Sequence, residues 1–368
     1  MKEAKQVDFF LGANTPEGFF SFFSELNDPV FTDYCYVIKG CPGSGKSTMM
    51  KNIVKQIERK EGLTERIHCS SDPDSFDGVI LHDSKTIIAD GTPPHSIEPK
   101  LPIAYEEVVS LYDCFDSKEV AAKREEAFEL NQKIGEYHSR CCRYLAGAAL
   151  MLNDNYRIAA ECTDYQKVFK QARRLAQKEI PDKKIGIGKE RKRMLSAFTP
   201  KGHITFMETV SALCNKVYLI KDEYSAASRV LIRALKEEAI NRGYDLFCCY
   251  CPLGEGEKPE HLLIPELGLG FVTQNSDVIY PKKAYRVIHY SRFTDQIKLK
   301  RKKQRLTFNK RAARELLKEA IKSVTSAKLL HDDLEEIYGA GVDFEKVSFK
   351  QKELVKKIRS YYHDDPLK

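Results

Sequence analysis

Two stretches of the chain share one pattern of apolar positions around polar loops of very different composition. Residues 36–53 read YVIKGCPGSGKSTMMKNI, and residues 218–235 read YLIKDEYSAASRVLIRAL. In each stretch an apolar run of strand length precedes a short polar loop. Apolar residues spaced three or four apart follow the loop, as in an amphipathic helix. The pattern therefore predicts a strand, a loop and a helix twice, and we name residues 40–47 the first loop and residues 222–229 the second loop.

The similarity between the two halves extends beyond these loops. Segments that begin at residues 11, 79, 131 and 165 are similar, in the same order, to segments that begin at residues 195, 262, 309 and 344. Their spacing stays close to 180 residues, which indicates a tandem duplication. We therefore predict a first domain over residues 1–180 and a second over residues 190–368, joined through the charged, glycine-containing segment 181–193.

Each half alternates strand and helix patterns. In the first half we expect strands at about 34–39, 65–70, 79–81 and 86–89, and a helix at about 46–60. An earlier helix at about 16–27 is expected to begin at Thr15 and Pro16, a hydroxyl N-cap followed by proline, and Thr199 and Pro200 repeat this signal. Strands separated by helices imply a mainly parallel sheet covered on both faces, a three-layer α/β sandwich.

The second part of each half has a different pattern, with apolar residues spaced three and four apart over long polar stretches. This pattern predicts long helices. We expect one helical arm at about residues 117–180 and another at about residues 297–360.

The first loop, GCPGSGKS, fits the phosphate-binding pattern G-x-x-x-x-G-K-[ST] in full. Its glycines permit backbone conformations closed to other residues, so that backbone N–H groups can surround a phosphate at the positive end of the following helix. The lysine supplies a cation to the β- and γ-phosphates, and the serine hydroxyl is a ligand for Mg²⁺. A P-loop NTPase unit that uses ATP and Mg²⁺ is the resulting prediction. The expected nucleotide-binding residues are Pro42, Gly43, Ser44, Gly45, Lys46, Ser47 and Thr48.

Carboxylates that complete such a site are expected at the ends of later strands. The run TIIAD ends on Asp90, as a Walker B element does, and Asp90 would bind Mg²⁺ together with Ser47. In open α/β sheets ligands lie beyond the carboxyl ends of strands, where HCSSDPDSFDG supplies Asp72, Asp74 and Asp77. The expected catalytic residues are Lys46, Asp90 and Asp72, and His95 is a further candidate for the cleft.

A base that would activate water is not evident from the sequence. Gly91 follows Asp90, so the glutamate that often follows a Walker B aspartate is missing. Glu98 and Glu106 lie nearby in the sequence, but no pattern selects either of them.

Charge and cysteine content narrow the class of protein. The chain has 368 residues, a formal net charge of +7 and eleven cysteines. We expect reduced thiols and a cytoplasmic protein, because the sequence has neither a secretory signal pattern nor an apolar run near the roughly 18 residues that span a membrane. Residues 298–318 hold ten Lys or Arg against one Glu. This segment is either a solvated helix face or a surface for nucleic acid or another polyanion.

The motifs together resemble those of a family of bacterial P-loop ATPases with two tandem nucleotide-binding units. The resemblance depends on KGCPGSGKST, HCSSDPDSFDGVI, DGTPPHSIEP and the duplication, and it covers nearly the full chain. It implies ATP binding by the first loop and says little about a substrate. Where both units of such proteins carry a P-loop, this chain departs, because the second loop contains no glycine.

The second loop is expected to bind no nucleotide. Asp222 would place a carboxylate where a phosphate binds, and Ser228 and Arg229 replace the lysine and serine of the motif. The second unit would then be a partner of the first in an intramolecular pseudo-dimer. Arg229 or Lys221 could reach ATP in the first unit.

Three functions follow from these patterns. The first is a Mg-dependent ATPase with one active site in the first unit. The second is a kinase that transfers the γ-phosphoryl group to a small molecule or nucleotide near Asp72. The third is a nucleic-acid-associated scaffold that acts through the basic segment 298–318.

Overall fold

The computed structural model describes residues 5–26, 32–57, 62–94, 97–183, 186–254 and 258–361. The strands of the first half are β1 (Lys5–Phe10), β2 (Gly12–Thr15), β3 (Gly18–Ser21), β4 (Tyr34–Lys39), β5 (Leu63–His68), β6 (Phe76–Leu81), β7 (Thr86–Asp90) and β8 (Glu106–Ser110). Its helices are α1 (Lys46–Ile57), α2 (Ser117–Ala122), α3 (Arg124–Ala160) and α4 (Tyr165–Glu179).

The second half repeats this order with one additional helix before the strand that leads into the second loop. Its strands are β9 (Glu190–Arg193), β10 (Ser196–Thr199), β11 (Gly202–Thr205), β12 (Lys216–Lys221), β13 (Leu246–Tyr250), β14 (Pro259–Ile264), β15 (Leu269–Gln274) and β16 (Arg286–His289). Its helices are α5 (Met207–Leu213), α6 (Ser228–Asn241), α7 (Gln296–Lys300), α8 (Lys303–Gly339) and α9 (Phe344–Ser360).

Each half forms a six-stranded sheet, and the two sheets have the same strand order. The first reads β1-β5-β6-β7-β4-β8 and the second reads β9-β13-β14-β15-β12-β16. In each sheet the third strand is antiparallel to the other five. The predicted duplication and the mainly parallel strands are thereby confirmed, in two similar α/β units.

The two sheets meet at the edges formed by β1 and β9. Phe10 and Met194, which are equivalent positions in the duplication, exchange two backbone hydrogen bonds of 2.9 Å. This reciprocal contact lies on a local twofold axis. Beside it, Arg193 Nε of β9 donates to the buried Glu65 Oε2 of β5 at 2.8 Å. Although burial opposes ionisation, the Arg193 charge lowers the pKa of Glu65 below its ordinary value, so a buried ion pair joins the two units.

The α-helix predicted at about 16–27 is wrong, because its described residues form the turn and second strand of the β2–β3 hairpin, followed by a single 3-10 turn at Phe23–Glu25. The Thr15 hydroxyl donates to the Gly18 carbonyl at 2.9 Å, and Thr199 and Gly202 make the same bond at 2.9 Å in the second unit. The threonine therefore closes a turn and does not cap a helix. The two glycines have φ of +127° and +104°, a conformation that favours glycine.

Four edge strands lie outside the predicted elements: β1, β8, β9 and β16. β9 lies inside the segment 181–193 that was expected to be a linker. Its sequence ERKR is fully polar, so its hydrophobic pattern gives no strand signal. The predicted inner strands and the first-loop helix are present, with bounds shifted by a few residues.

The helical arms are present, and the long helices α3 and α8, of 37 residues each, lie side by side. Ala127 and Ile134 near the start of α3 pack with Leu334 and Ile337 near the end of α8. The two helices therefore run antiparallel.

The last helix of each arm packs on the opposite unit. α4 packs against α6, and α9 packs against α1. In the second contact Leu354 and Ile358 are buried in one cluster with Met50 and Ile53. Each spatial unit therefore contains the last helix of the other half of the chain. For α4 and α9, the spatial units do not coincide with the predicted sequence ranges 1–180 and 190–368.

Two further observations concern the cysteines and the helices. All eleven cysteines are free thiols, as expected. None of the helices in the described part of the chain combines the length and apolar character that crossing a membrane requires.

Candidate nucleotide-binding site

The first loop joins the end of β4 to the start of α1, as the motif predicts. Gly43 and Gly45 have φ of +69° and +81°, which residues with a side chain rarely adopt. A Cβ atom on Gly43 would also lie 2.6 Å from the backbone oxygen of Glu335. Both the backbone and its surroundings therefore require glycine here, and the loop ends at a helix N-terminus, which favours anions.

Lys46 folds back over the first loop. Its Nζ donates to the carbonyl oxygens of Gly40 and Cys41 at 3.0 Å each and lies 3.7 Å from Asp90 Oδ2. The side chains of Lys46 and Asp90 are only 12% and 13% exposed. A largely desolvated cation is thus held at the loop, where an anion could replace its two carbonyl partners.

Asp90 ends β7 next to the end of β4, where a Walker B aspartate is expected. Burial raises the pKa of Asp90 above its ordinary value, while Lys46 and Thr92 oppose this rise in part. The charge of the buried Asp77 adds to the rise. Ser47 Oγ lies close to the same strand ends, because it accepts a hydrogen bond from the Phe76 backbone at 2.9 Å. These oxygen atoms are the type that Mg²⁺ prefers.

The other acidic candidates have different surroundings. Asp72 accepts a hydrogen bond from the Ser75 hydroxyl at 2.7 Å and lies 3.5 Å from Lys328 of α8. Asp74 is exposed and pairs with Lys201 of the second unit. His95 lies outside the described residues.

The glutamates near β7 in the sequence hold the chain in place. Glu98 pairs with Lys39. Glu106 is buried and accepts hydrogen bonds from the backbones of Lys100 at 3.1 Å and Leu101 at 2.6 Å.

Helix α8 brings a carboxylate from the second half of the chain to the first loop. Gly43 N–H donates to Glu335 Oε1 at 3.4 Å. One turn and two turns earlier, His331 and Lys328 also face this region, where Lys328 pairs with Asp72 and Asp332. A glutamate thus accepts an N–H group that a phosphate would use.

Three α8 side chains could also hold a cation. Ligand atoms of His331, Asp332 and Glu335 lie within 4.8 Å of one another. Among the described residues, this is the group of three or more His, Cys, Asp or Glu side chains close enough to hold one metal ion. Burial lowers the pKa of His331, which favours the neutral imidazole that binds metals. All three side chains are partly exposed, and Glu335 also contacts Gly43, so the cluster belongs to the surroundings of the first loop.

The second loop shares one left-handed position with the first and uses its own side chain as the acceptor for its N–H groups. The two backbones differ at the next glycine, because Gly45 has φ of +81° and its counterpart Ala227 has φ of −88°. Ser225, the counterpart of Gly43, has φ of +58°. The buried Asp222 carboxylate accepts hydrogen bonds from the backbones of Tyr224, Ala227 and Ser228 at 3.2, 2.9 and 2.9 Å. Asp222 was expected to repel a phosphate, and in addition it occupies the N–H groups that a phosphate would need.

Arg229 and Lys221 lie in the surroundings of the second loop. The Arg229 guanidinium lies 4.1 Å from the centre of the Tyr156 ring on α3 and lines a cavity of the second unit. Lys221 is exposed at the end of β12. These positions do not support a reach to the first loop, which the second half contacts through α8 and α9.

The basic segment 298–318 is divided between paired and solvated side chains. Arg305 pairs with Asp154, Lys310 with Glu223, and Arg314 with Asp277. Other cations of the segment are exposed. Binding of a polyanion by this surface stays a prediction.

Sequence reasoning missed Glu335 and Lys328, which lie on a helix with an ordinary amphipathic pattern. Asp77 was named but ranked below Asp72, and its burial beside Asp90 could be found only from the structure. A comparison of the chain with family models, with curated proteins and with solved structures gave no match. The resemblance to tandem P-loop ATPases therefore stays a prediction.

Proposed function

We propose that the first unit binds ATP with Mg²⁺ and hydrolyses it. The observation that carries this proposal is the complete phosphate-binding motif in a strand–loop–helix setting, with Lys46 Nζ 3.7 Å from Asp90 Oδ2. The positive-φ glycines, the helix N-terminus and the largely buried cation all fit a polyphosphate. Ser47 and Asp90 fit a hard metal ion that takes oxygen ligands.

In this proposal the backbone and side chains of the first unit mainly bind and orient the nucleotide and Mg²⁺. Backbone N–H groups from Gly43 to Thr48 hold phosphate oxygens, and Lys46 neutralises charge on the β- and γ-phosphates. Ser47 and Asp90 hold Mg²⁺, which supplies charge neutralisation on the phosphates when it is bound. Asp72 stays a candidate for positioning the attacking water.

ATP binding is further proposed to move α8. The Glu335 carboxylate accepts the Gly43 N–H, and a phosphate at the same group would meet its negative charge. An incoming nucleotide must therefore displace Glu335. Because α8 lies along α3 and leads into α9, which packs on α1, such a displacement is coupled to both arms. This coupling favours an ATPase that drives a conformational change, with the second unit as its partner.

The test is phosphate release from Mg-ATP by the full chain without an acceptor. Lys46→Ala should lower the rate about 10²-fold or more, as the loss of one preorganised charge typically does. Lys55→Ala, an exposed change on the same helix, should retain the rate. Wild-type turnover by Lys46→Ala would show that the site assignment is wrong. ATP consumption that requires an added acceptor would replace hydrolysis by phosphoryl transfer.

A further inference from the structure

The second unit contains a cavity of about 880 Å³ in front of its filled loop. Residues that follow the carboxyl ends of β12, β13 and β15 line one side of it, and α3 and α8 line the other. This is the edge at which open α/β sheets bind ligands. The cavity is thus the counterpart of the nucleotide site in the first unit.

The side chains at equivalent positions differ in a consistent way. Arg229 stands where the first unit has Ser47. Thr273 is the counterpart of Asp90, because Thr273 lies opposite Ile220 in the second sheet as Asp90 lies opposite Ile38 in the first. The two predicted metal ligands are therefore replaced by a guanidinium and a neutral hydroxyl, so the second unit has a fixed cation where the first would hold Mg²⁺.

The cavity lining has an excess of positive charge. The cationic residues are Arg229, Arg233, Lys258, Lys310, Arg314 and Lys318, and the acidic residues are Glu17, Glu223, Glu260 and Asp277. Four of these cations already have a carboxylate partner: Lys258 pairs with Glu260, Lys310 with Glu223, Arg314 with Asp277 and Lys318 with Glu315. A bound anion would therefore share Lys258 and Lys310 with their carboxylates and add to the partners of Arg229.

Arg229 has hydrogen-bonding capacity left within this space. Its Nε is buried and has no hydrogen-bond partner among the described residues, although its guanidinium lies over the Tyr156 ring. A buried donor without a partner is costly. A planar guanidinium matches phosphate oxygens well, and a small shift of the side chain towards a bound phosphate would give this nitrogen an acceptor.

The cavity is also lined by apolar side chains. Its lining includes Leu150, Tyr156, Phe198, Leu253, Leu317 and Ile321. Cavities of about 300–1,000 Å³ that combine apolar walls with a few convergent polar groups are typical of small-molecule sites. The occupant should therefore be an organic molecule with an anionic group, not a free inorganic ion alone.

We propose that this cavity binds a phosphorylated small organic molecule without Mg²⁺. Arg229, Lys258 and Lys310 hold its phosphate, and the apolar wall holds the remainder. The second loop itself stays closed by Asp222. The second unit is then a ligand-binding unit as well as a structural partner, and this site does not depend on ATP hydrolysis in the first unit.

The experiment measures binding to full-length Lys46→Ala protein in EDTA, which separates this site from the first loop and from Mg²⁺. Isothermal titration with AMP, ribose 5-phosphate and inorganic phosphate, each to millimolar concentration, is compared with adenosine. At least one organic phosphate should bind saturably and more tightly than inorganic phosphate or adenosine. Arg229→Gln should weaken this binding about tenfold or more, since a charge-assisted hydrogen bond is lost.

A second variant keeps the test valid if Arg229→Gln does not fold. Lys310→Gln on α8 should weaken the same binding, whereas Lys303→Gln, exposed on the same helix and outside the cavity lining, should not. The proposal is overturned if no organic phosphate binds in EDTA. It is equally overturned if binding persists unchanged in Lys310→Gln and in folded Arg229→Gln.

Discussion

The first and second loops have the same place in their sheets and treat negative charge in different ways. Each loop joins a central parallel strand to a helix, and each has a left-handed residue at the same position, Gly43 with φ of +69° and Ser225 with φ of +58°. In the first loop a carboxylate from a distant helix accepts an N–H group. In the second, Asp222 of the loop itself accepts three.

This difference shows two ways in which the N–H groups at the start of a helix can find an acceptor. A helix N-terminus presents unsatisfied N–H groups and a partial positive charge, so it needs an anion or another acceptor. In the second loop a covalently attached carboxylate meets that need permanently. The strand and helix then remain stable without a glycine-rich sequence or a lysine. In the first loop Glu335 accepts one N–H group, and under our proposal an exchangeable anion takes its place.

The largest expected effect concerns the metal role that we propose for the first loop. Asp90→Asn should lower Mg-dependent ATP turnover about tenfold or more, because a charge that faces the metal is lost, while ATP binding without Mg²⁺ changes little. Isothermal titration with and without Mg²⁺, together with phosphate release, measures the two effects. If turnover by Asp90→Asn depends on Mg²⁺ as in the wild type, Asp77 or Asp72 would be the metal ligand instead.

The next effect concerns the internal carboxylate of the second loop. Asp222→Ala should lower the free energy of unfolding by about 1–2 kcal/mol, since a capping acceptor at a helix N-terminus is lost. Chemical denaturation measures it, and Glu237→Ala, an exposed change on α6, is the matched control. The variant should gain no ATP site, because Ser228 stands where the motif has lysine. ATP binding to Asp222→Ala in a Lys46→Ala background would contradict this reading of the loop.

A smaller effect is expected at the contact between the Glu335 carboxylate and the Gly43 N–H of the first loop. Glu335→Gln should tighten ATP binding a few-fold, because removal of like charge near the phosphates lowers the cost of entry. Equilibrium titration of a fluorescent ATP analogue measures this, with the exposed Glu336→Gln as control. A large loss of turnover with unchanged affinity would instead assign Glu335 a role in activating water.

The smallest effect compares the two left-handed residues directly. Ser225→Gly should change the free energy of unfolding by less than about 1 kcal/mol, because relief of left-handed strain and the added freedom of the unfolded chain nearly cancel. Gly43→Ser should be far more damaging, since a Cβ there would lie 2.6 Å from the Glu335 backbone oxygen. Denaturation of both variants tests this; equal effects would show that the loops are constrained alike.

Prediction from sequence succeeded where the signal is local. The strand before the first loop, the glycine positions, the helix from Lys46 and Asp90 at the end of a strand all depend on neighbouring residues. It failed at Thr15 and Pro16, because threonine followed by proline suits both a helix start and a hairpin turn. Gly18, with φ of +127°, selects the turn. It also failed at β9, whose polar sequence forms a strand because the neighbouring strand β13 supplies hydrogen bonds.

The sequence by itself determined the duplication, the two mainly parallel sheets, the intact first loop and the loss of the motif in the second. Tertiary structure alone decided which arm lies on which unit, and therefore that Glu335, 292 residues from Gly43, meets the first loop. The physical reason is the duplication. α4 and α9 have similar apolar faces, as do α1 and α6, so a hydrophobic pattern is compatible with packing on either unit. The antiparallel packing of α3 along α8 sends each terminal helix to the opposite sheet, and this choice brings the carboxylate of one half to the phosphate loop of the other.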